Sequence, residues 1–354
     1  MGHNMLQTLP PMIYGGQVLL KHIKELYLHN NDFTMFPHVV CEMVTLEKLS
    51  LAHNAMVTIP DTIKRLTSLT HVNFSHNKLS SVPQGLGLCS NVTDLDLQFN
   101  RLTTLPPGIG SMGNLIKLNL INNALVKLPA SIGSLESLTQ LSLRDNQLAI
   151  LPASINMLVA VQIMSLSANK LYELPPLIED LTMLEVLTLS DNSIQYLPSK
   201  IGNFRALTQL AVSNNQLVEL PATIGNLPHI AQLWLDHNAL TTLPPSIGRC
   251  VSLKELNLDH NKLKTLPMSL CQLTALEELW LHDNELESLP SMMGKLKMLR
   301  TLTLSHNELS TLPEGYSGIG GCVALAELWL KGNPLKRLPP ELANLSTLRV
   351  LLLP

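Results

Sequence analysis

The chain has 354 residues, 45% hydrophobic, only 4% aromatic and 14% charged, with a formal net charge of −3. Its Lys and Arg are scattered, which excludes a nucleic-acid footprint. No apolar run approaches the roughly 20 residues of a membrane span. No basic stretch precedes a short apolar core at the N-terminus, and Leu6 stands where a myristoylation pattern needs Ser or Thr. A soluble, cytoplasmic protein is expected.

The chain opens on a degenerate piece, residues 1–22, carrying Asn4, Leu6, Leu9 and Pro10. A phrase LxxLxLxxNxL then begins with Ile23, Leu26, Leu28 and Asn31 and returns every 23 residues to Asn307. One 26-residue step leads to Asn333, so residues 23–347 hold fourteen complete copies, and residues 348–354 begin a further one. Nearly every copy adds LP about five residues after its asparagine.

Within a copy, Leu256 and Leu258 alternate with Glu255, Asn257 and Asp259. That alternation predicts a short strand with one apolar and one polar face. Pro267 blocks its continuation, and Leu270 and Leu273 supply apolar contacts from the other side of the coil. A single copy cannot bury its apolar face, whereas stacked copies bury it against each other. The Gly-rich stretch 314–321 accounts for the longer step and is expected to bulge out as a mobile loop.

Copies such as LPASIGSLESLTQLSLRDNQL resemble leucine-rich repeats of the intracellular class. That class includes Shoc-type Ras-pathway scaffolds, the Ras suppressor, plant Ras-group proteins and the LAP proteins Scribble and Erbin. The resemblance covers essentially the whole chain. It implies an α/β fold: a right-handed leucine-rich-repeat solenoid with a parallel concave sheet of about 15 strands and irregular, 3-10 or short helical convex segments, as a single domain over 1–354. It also implies an inward-turned asparagine bonding main-chain groups of the turn. In function it implies a scaffold for signalling partners such as a Ras-like GTPase or a polarity complex.

The five cysteines, Cys41, Cys89, Cys250, Cys271 and Cys322, are odd in number and lie inside copies. Cys89, Cys250 and Cys322 share one register and read as small, semi-buried fillers in a reducing compartment. The sequons at Asn73, Asn91 and Asn344 read as coincidence. Neither end carries an obvious polar cap. The ends are therefore read as those of a segment of a longer protein, or as covered by a partner or a second copy; in function, a structural subunit of a larger cytoskeletal or ciliary assembly is the alternative to a binding scaffold.

Function is expected on the concave face, at the third, fifth, seventh and eighth positions of each phrase. All three tryptophans, Trp234, Trp280 and Trp329, fall at the fifth position of alternate copies, as does Tyr27 in the first. At about 4.8 Å per strand they should stand roughly 10 Å apart in one row. Tryptophan is enriched where interfaces concentrate their energy. Around the row lie Asp236, Glu255, Asp259, Glu278, Asp283 and Glu327, an acidic, aromatic strip suited to a protein partner with basic and apolar side chains.

Copies six to nine are expected to expose small residues, Ser142, Ser165, Thr188 and Ala211 beside Ser167, Ser190 and Ser213. A mixed patch of Tyr27, Lys48, His53, His71, His76 and Asp94 is expected nearer the N-terminus. His237, His260, His282, Asp283 and His306 could in principle form a metal site, but histidine recurs before the asparagine at His53 and His76 too, which reads as a position that suits it. No P-loop, GxSxG or HExxH accompanies them. The chain is therefore read as a non-enzymatic binding scaffold without catalytic residues, metal or cofactor.

Overall fold

The computed structural model describes residues 4–9, 13–14, 17–18, 20 and 22–353. Fifteen three-residue strands run parallel and in chain order. The chain divides into two compact units, residues 1–171 with 175–181, and residues 172–174 with 182–354. The first carries seven of these strands, Glu25–Tyr27 through Ile163–Ser165; the second carries eight, Val186–Thr188 through Val350–Leu352.

Each copy makes the same coil because the same residues recur. Strand residues pair in register 23 apart, Leu256 with Leu233 on one side and Leu279 on the other. The first, fourth and sixth positions, Leu253, Leu256 and Leu258, are wholly buried, as are Leu263, Leu270 and Leu273 from the rest of the coil. The return segment is a single 3-10 turn, such as Met268–Gln272, which the carbonyl of Pro267 opens by accepting from Leu270 N at 3.0 Å. Proline's fixed φ, −67° at Pro267, suits this entry.

The strand's end is decided elsewhere than at Pro267. It stops at Asn257, and the residue before the asparagine turns left-handed: φ is 52° at His260, 48° at Asp283 and 54° at His306. The same position is left-handed at His53, His76, Asp145, Asp191 and Asn214. Asn, Asp and His are the non-glycine residues that tolerate this region best. The recurrent His-Asn pair thus has a backbone cause.

The ladder asparagine ties two copies together as well as closing its own turn. Asn261 donates through Nδ2 to the carbonyls of Leu258 (3.1 Å) and Asp259 (3.2 Å), and to that of Leu235 one copy earlier (3.0 Å). Its Oδ1 accepts from Leu240 N at 3.0 Å, also one copy earlier. Asn77, Asn100, Asn146, Asn284 and Asn307 repeat the pattern. The ladder extends into the degenerate N-terminal piece, where Leu6 N donates to Asn31 Oδ1 at 3.1 Å. That piece also contains a short antiparallel pairing of Ile13–Tyr14 with Gln17–Val18, which the repeat pattern did not announce; Pro10 lies outside the described residues.

Glycine after the isoleucine of the 3-10 turn is a packing requirement. A Cβ on Gly225 would stand 2.1 Å from the carbonyl oxygen of Ser246 in the next copy, and on Gly133 2.3 Å from that of Ser154. Other residues take its place in some copies: after Cys41 and Lys64 the following turn keeps five residues, whereas after Asn156 and Cys271 it has three, Ile178–Asp180 and Met293–Lys295. The first of these is preceded by Leu177 at φ 66°.

Two expectations are corrected here. Only the first half of the Gly-rich stretch stands out, with Glu314, Tyr316 and Ser317 exposed; its second half is packed: Gly318 through Gly321 are buried, Gly294 N donates to Ser317 O at 2.8 Å and Lys297 Nζ to Gly321 O at 2.8 Å. Its glycines let the backbone settle against the preceding coil: a Cβ on Gly321 would stand 2.7 Å from Gly294 Cα, and one on Gly294 would stand 2.2 Å from Tyr316 O.

The cysteines, in turn, are fully buried and unpaired, not semi-buried. The thiols of Cys89, Cys250 and Cys322 donate to carbonyls of the preceding copy, Ile63, Ile224 and Met293, at 3.2 to 3.4 Å. Burial pushes these thiols from an ordinary 9.0 up to about 11 at Cys89 and Cys250 and about 12 at Cys322. Because the folded-state values are raised, the stability these thiols contribute is complete below pH 9 and is lost as pH rises through about 11 to 12. Iodoacetamide at pH 8 should leave the folded chain unalkylated while modifying all five cysteines after denaturation, read by intact mass. Thermal melts above pH 9 should fall less steeply in a Cys89→Ala, Cys250→Ala, Cys322→Ala variant than in wild type. An equal slope would exclude the thiols as the cause.

Candidate functional site

The outer face of the strands is built from the third, fifth and seventh positions, since these alternate with the buried leucines. In the second unit the strand register sets the fifth-position residues side by side in the order Ala211, Trp234, Asn257, Trp280, Thr303, Trp329. Trp329 is 39% exposed, while Trp234 and Trp280 are half-buried. The short residues beside them, Ala211 and Thr303, are buried at 3% and 6%. Flanking indoles thus shield the low positions in the row, and only part of each ring remains available for contact.

The same effect overturns the expected small-residue surface. Ser142, Ala211 and Ser167 are buried, Ala211 being sunk between Thr188 and Trp234 and Ser142 lying beside the longer Asn119, while Ser165, Thr188, Ser190 and Ser213 are half-buried. A face position is exposed only if its side chain reaches the height of those around it.

The six acidic residues separate into two kinds. Asp236 accepts from Ser213 Oγ at 2.5 Å and its other oxygen lies 3.2 Å from His237 Nδ1; Asp259 accepts the backbone N–H of His282 at 2.6 Å. Burial raises the Asp259 carboxyl above its usual range. These two carboxylates are committed to neighbouring copies and are not free hands for a partner, as the strip reading had taken them. Seventh-position side chains sit low against the next strand, where such bonds form.

Glu255, Glu278 and Glu327, at the third position, are different. Glu255 and Glu278 are register partners in adjacent strands. Glu255 accepts from Gln232 Nε2 at 2.9 Å. Glu278 has its carboxyl raised by burial first, and then by the like charges of Glu255, Glu277 and Glu327. Like charges directly opposed across strands are destabilising. Asp283, at the eighth position, lies among His260 and His282 instead.

Tyr27 belongs to the first unit, where it is 54% exposed and its hydroxyl donates to Glu25 Oε2 at 3.0 Å. It lines a hollow on the outer strand face together with Lys48, His53, His71, His76 and Asp94. Lys48 pairs with Glu25 at 2.8 Å and His71 faces Asp94 at 3.6 Å. Here the left-handed eighth positions stack their rings: His53 on His76 with centroids 4.0 Å apart, and His76 on Phe99 at 4.3 Å. Burial lowers the pKa of the His76 imidazole below its ordinary value. Ring stacking at this position was missed from the sequence, although the recurrence of His and Phe in one register carried the signal.

Among the described residues no helix is long and apolar enough to cross a membrane.

Residues 21–79 and 90–148 match the family described as leucine rich repeat, and residues 152–243 and 187–282 match the leucine-rich repeat region family. No curated protein matches the chain. Among solved structures, the Leptospira interrogans LRR protein LIC12759 is 31% identical, over 98% of this chain and 93% of its own, with a TM-score of 0.78. The LRR ectodomain of the Arabidopsis thaliana membrane receptor kinase GASSHO1/SCHENGEN3, solved in complex with CASPARIAN STRIP INTEGRITY FACTOR 2, is 32% identical. That match covers 94% of this chain but 42% of that one, with a TM-score of 0.80. An internalin from Listeria monocytogenes, 22% identical with a TM-score of 0.73, shares the fold. With an unbroken asparagine ladder, parallel three-residue strands and these matches, the chain belongs to the leucine-rich-repeat proteins.

Proposed function

We propose that this chain is a non-enzymatic protein-binding scaffold whose principal contact surface is the outer strand face of the second unit. Leucine-rich-repeat proteins in general mediate protein–protein interaction. The observation that carries the reading here is the opposed pair Glu255 and Glu278, backed by Glu327, beside the row Trp234, Trp280 and Trp329. Like charge opposed on a pleated face costs stability, here offset only in part by Arg300 near Glu278, and a cationic partner relieves it further. Indoles two strands apart, at steps of roughly 10 Å, supply the apolar anchors such an interface needs. The partner is thus a protein with basic and apolar side chains.

The finer reading is a cytoplasmic signalling scaffold. Five buried, unpaired thiols favour a reducing compartment, and the LPxxIGxL wording resembles the Ras-pathway and polarity classes. A Ras-like GTPase or a polarity-complex member is the first partner to test.

Wild-type chain and a Trp234→Ala, Trp280→Ala, Trp329→Ala variant, compared in pull-downs read by mass spectrometry, give the decisive contrast. The main partner should be captured by the first and lost by the second at equal folded content. Trp280→Ala alone should weaken it by about 30-fold, roughly 2 kcal/mol. Undiminished capture by the triple variant removes the row from the interface.

A further inference from the structure

We propose that His260, His282 and Asp283 bind one divalent transition-metal ion of the zinc class, a role independent of the protein-binding reading. The three side chains offer ligand atoms that all lie within 4.8 Å of one another. Asp283 Oδ2 lies 3.0 Å from His260 Nδ1 and 3.1 Å from His282 Nε2. Zinc–nitrogen bonds of about 2.0 to 2.1 Å set donor atoms on the order of 3.3 Å apart in a tetrahedral site. Two of the three edges are therefore already close to that spacing.

The repeat geometry produces the cluster. His260 and Asp283 occupy the eighth position of consecutive copies, both left-handed, at φ 52° and 48°. Successive eighth positions come to lie about one strand spacing apart, near 4.8 Å, so one side chain stands over the next. His282 is the seventh residue of the copy that holds Asp283, and its backbone N–H is held by Asp259 Oδ1 at 2.6 Å. Thr303 Oγ1 donates to the same oxygen at 3.4 Å. The ligands thus come from short, packed turns and not from a free loop.

The donor set selects the metal. Two imidazoles and one carboxylate suit zinc, cobalt, nickel or copper, and offer too few oxygens for calcium or magnesium. The side chains keep 33 to 39% of their surface exposed, so an ion can enter from solvent. Three protein donors leave at least one coordination position for water or another ligand. His237 and His306 extend the ring ladder, with centroids 4.1 Å from His260 and 5.2 Å from His282. His306 has room because Gly332 faces it: a Cβ there would stand 2.7 Å from Nδ1. The competing account is that Asp283 merely pairs with protonated imidazoles, in which case no ion is held.

The full chain, purified without a polyhistidine tag and stripped with chelator, is titrated calorimetrically with zinc chloride, and with cobalt(II) followed by visible absorption. Saturable uptake of one ion per chain is expected, with cobalt bands marking nitrogen and oxygen ligands. His260→Asn and Asp283→Asn keep a residue suited to left-handed φ, and each should weaken uptake by more than about tenfold, as should His282→Gln. His53→Asn, in the other histidine stack, should leave it unchanged.

On the wild-type chain, zinc should protect His260 and His282, and not His53, from acylation by diethylpyrocarbonate, mapped by mass spectrometry. This readout does not depend on any variant folding. No saturable uptake, uptake indifferent to all three substitutions, or equal protection of His53 would each overturn the site.

Discussion

Replacing Gly225 by valine is expected to melt the coils around it, at a cost above about 3 kcal/mol. Even the Cβ of the new side chain would stand 2.1 Å from the carbonyl oxygen of Ser246 and 2.7 Å from its carbonyl carbon. Both are backbone atoms, and no rotamer change moves them. Relief requires the 3-10 turns Ala222–Asn226 and Pro245–Arg249 to separate, which exposes Ile224 and Ile247, now wholly buried. Because each coil leans only on its neighbours, the damage should be regional. Hydrogen exchange should show lost protection centred on residues 222–249, with more distant coils of the same unit retaining theirs. Gly113→Ala and Gly225→Ala form the matched control pair: no atom lies within 4 Å of a Cβ at Gly113, so that change should leave stability within about 0.5 kcal/mol of wild type, whereas the same change at Gly225 should destabilise. Equal effects at the two sites would reduce the glycine argument to backbone entropy.

Asn261→Ala is expected to cost about 1 to 3 kcal/mol. Sequence reasoning alone assigns this asparagine to its own turn, but two of its four bonds reach the preceding copy, at Leu235 O and Leu240 N. Alanine leaves Leu240 N without its acceptor and removes one of the two donors to each of three carbonyls: Leu235 O keeps Asn238 Nδ2, Leu258 O keeps Asn284 Nδ2 and Asp259 O keeps the N–H of His237. The loss therefore falls on the cohesion between coils as well as on one turn. Chemical denaturation should show a lower midpoint, and exchange should rise at Leu240 as well as around Asn261. A change confined to residues 258–261 would show that the inter-copy bonds contribute nothing measurable. Asn261→Asp keeps the acceptor for Leu240 N but loses the donors, so its cost measures the donor half of the clamp.

The two sites show how far the repeat could be read without coordinates. Coil period, strand positions and the buried leucine set follow from spacing, because a residue every 23 positions can have only one role in a stack. Which wall of the coil needs glycine did not follow. The recurrence of Ile-Gly is visible, but the reason lies in an approach of two backbones that no single copy contains. The bend ending each strand was likewise attributed to Pro267, when a left-handed residue at His260 had already turned the chain.

On the outer face the limits are sharper. Register placed Trp234, Trp280 and Trp329 in one row, and pairing through Asn257 and Thr303 places them so. Height above the sheet was not legible: Ala211 shares the alternation of exposed positions and is buried because its neighbours Thr188 and Trp234 are taller. Nor was the separation of the acids into Asp236 and Asp259, bonded into neighbouring copies, and the like-charged register pair Glu255 and Glu278, of which Glu255 alone takes a side-chain donor, from Gln232. That separation depends on which strand neighbour offers a donor.

By itself, then, the sequence determined the repeat, its core and the alignment of like positions across copies, since all three are consequences of periodicity. Tertiary structure alone decided what those aligned positions do. Side chains 23 residues apart become neighbours at one strand spacing, and at that distance the size and charge of each decide the state of the next. So the histidines of one register become a ring ladder, and His260, His282 and Asp283 become a candidate ion site.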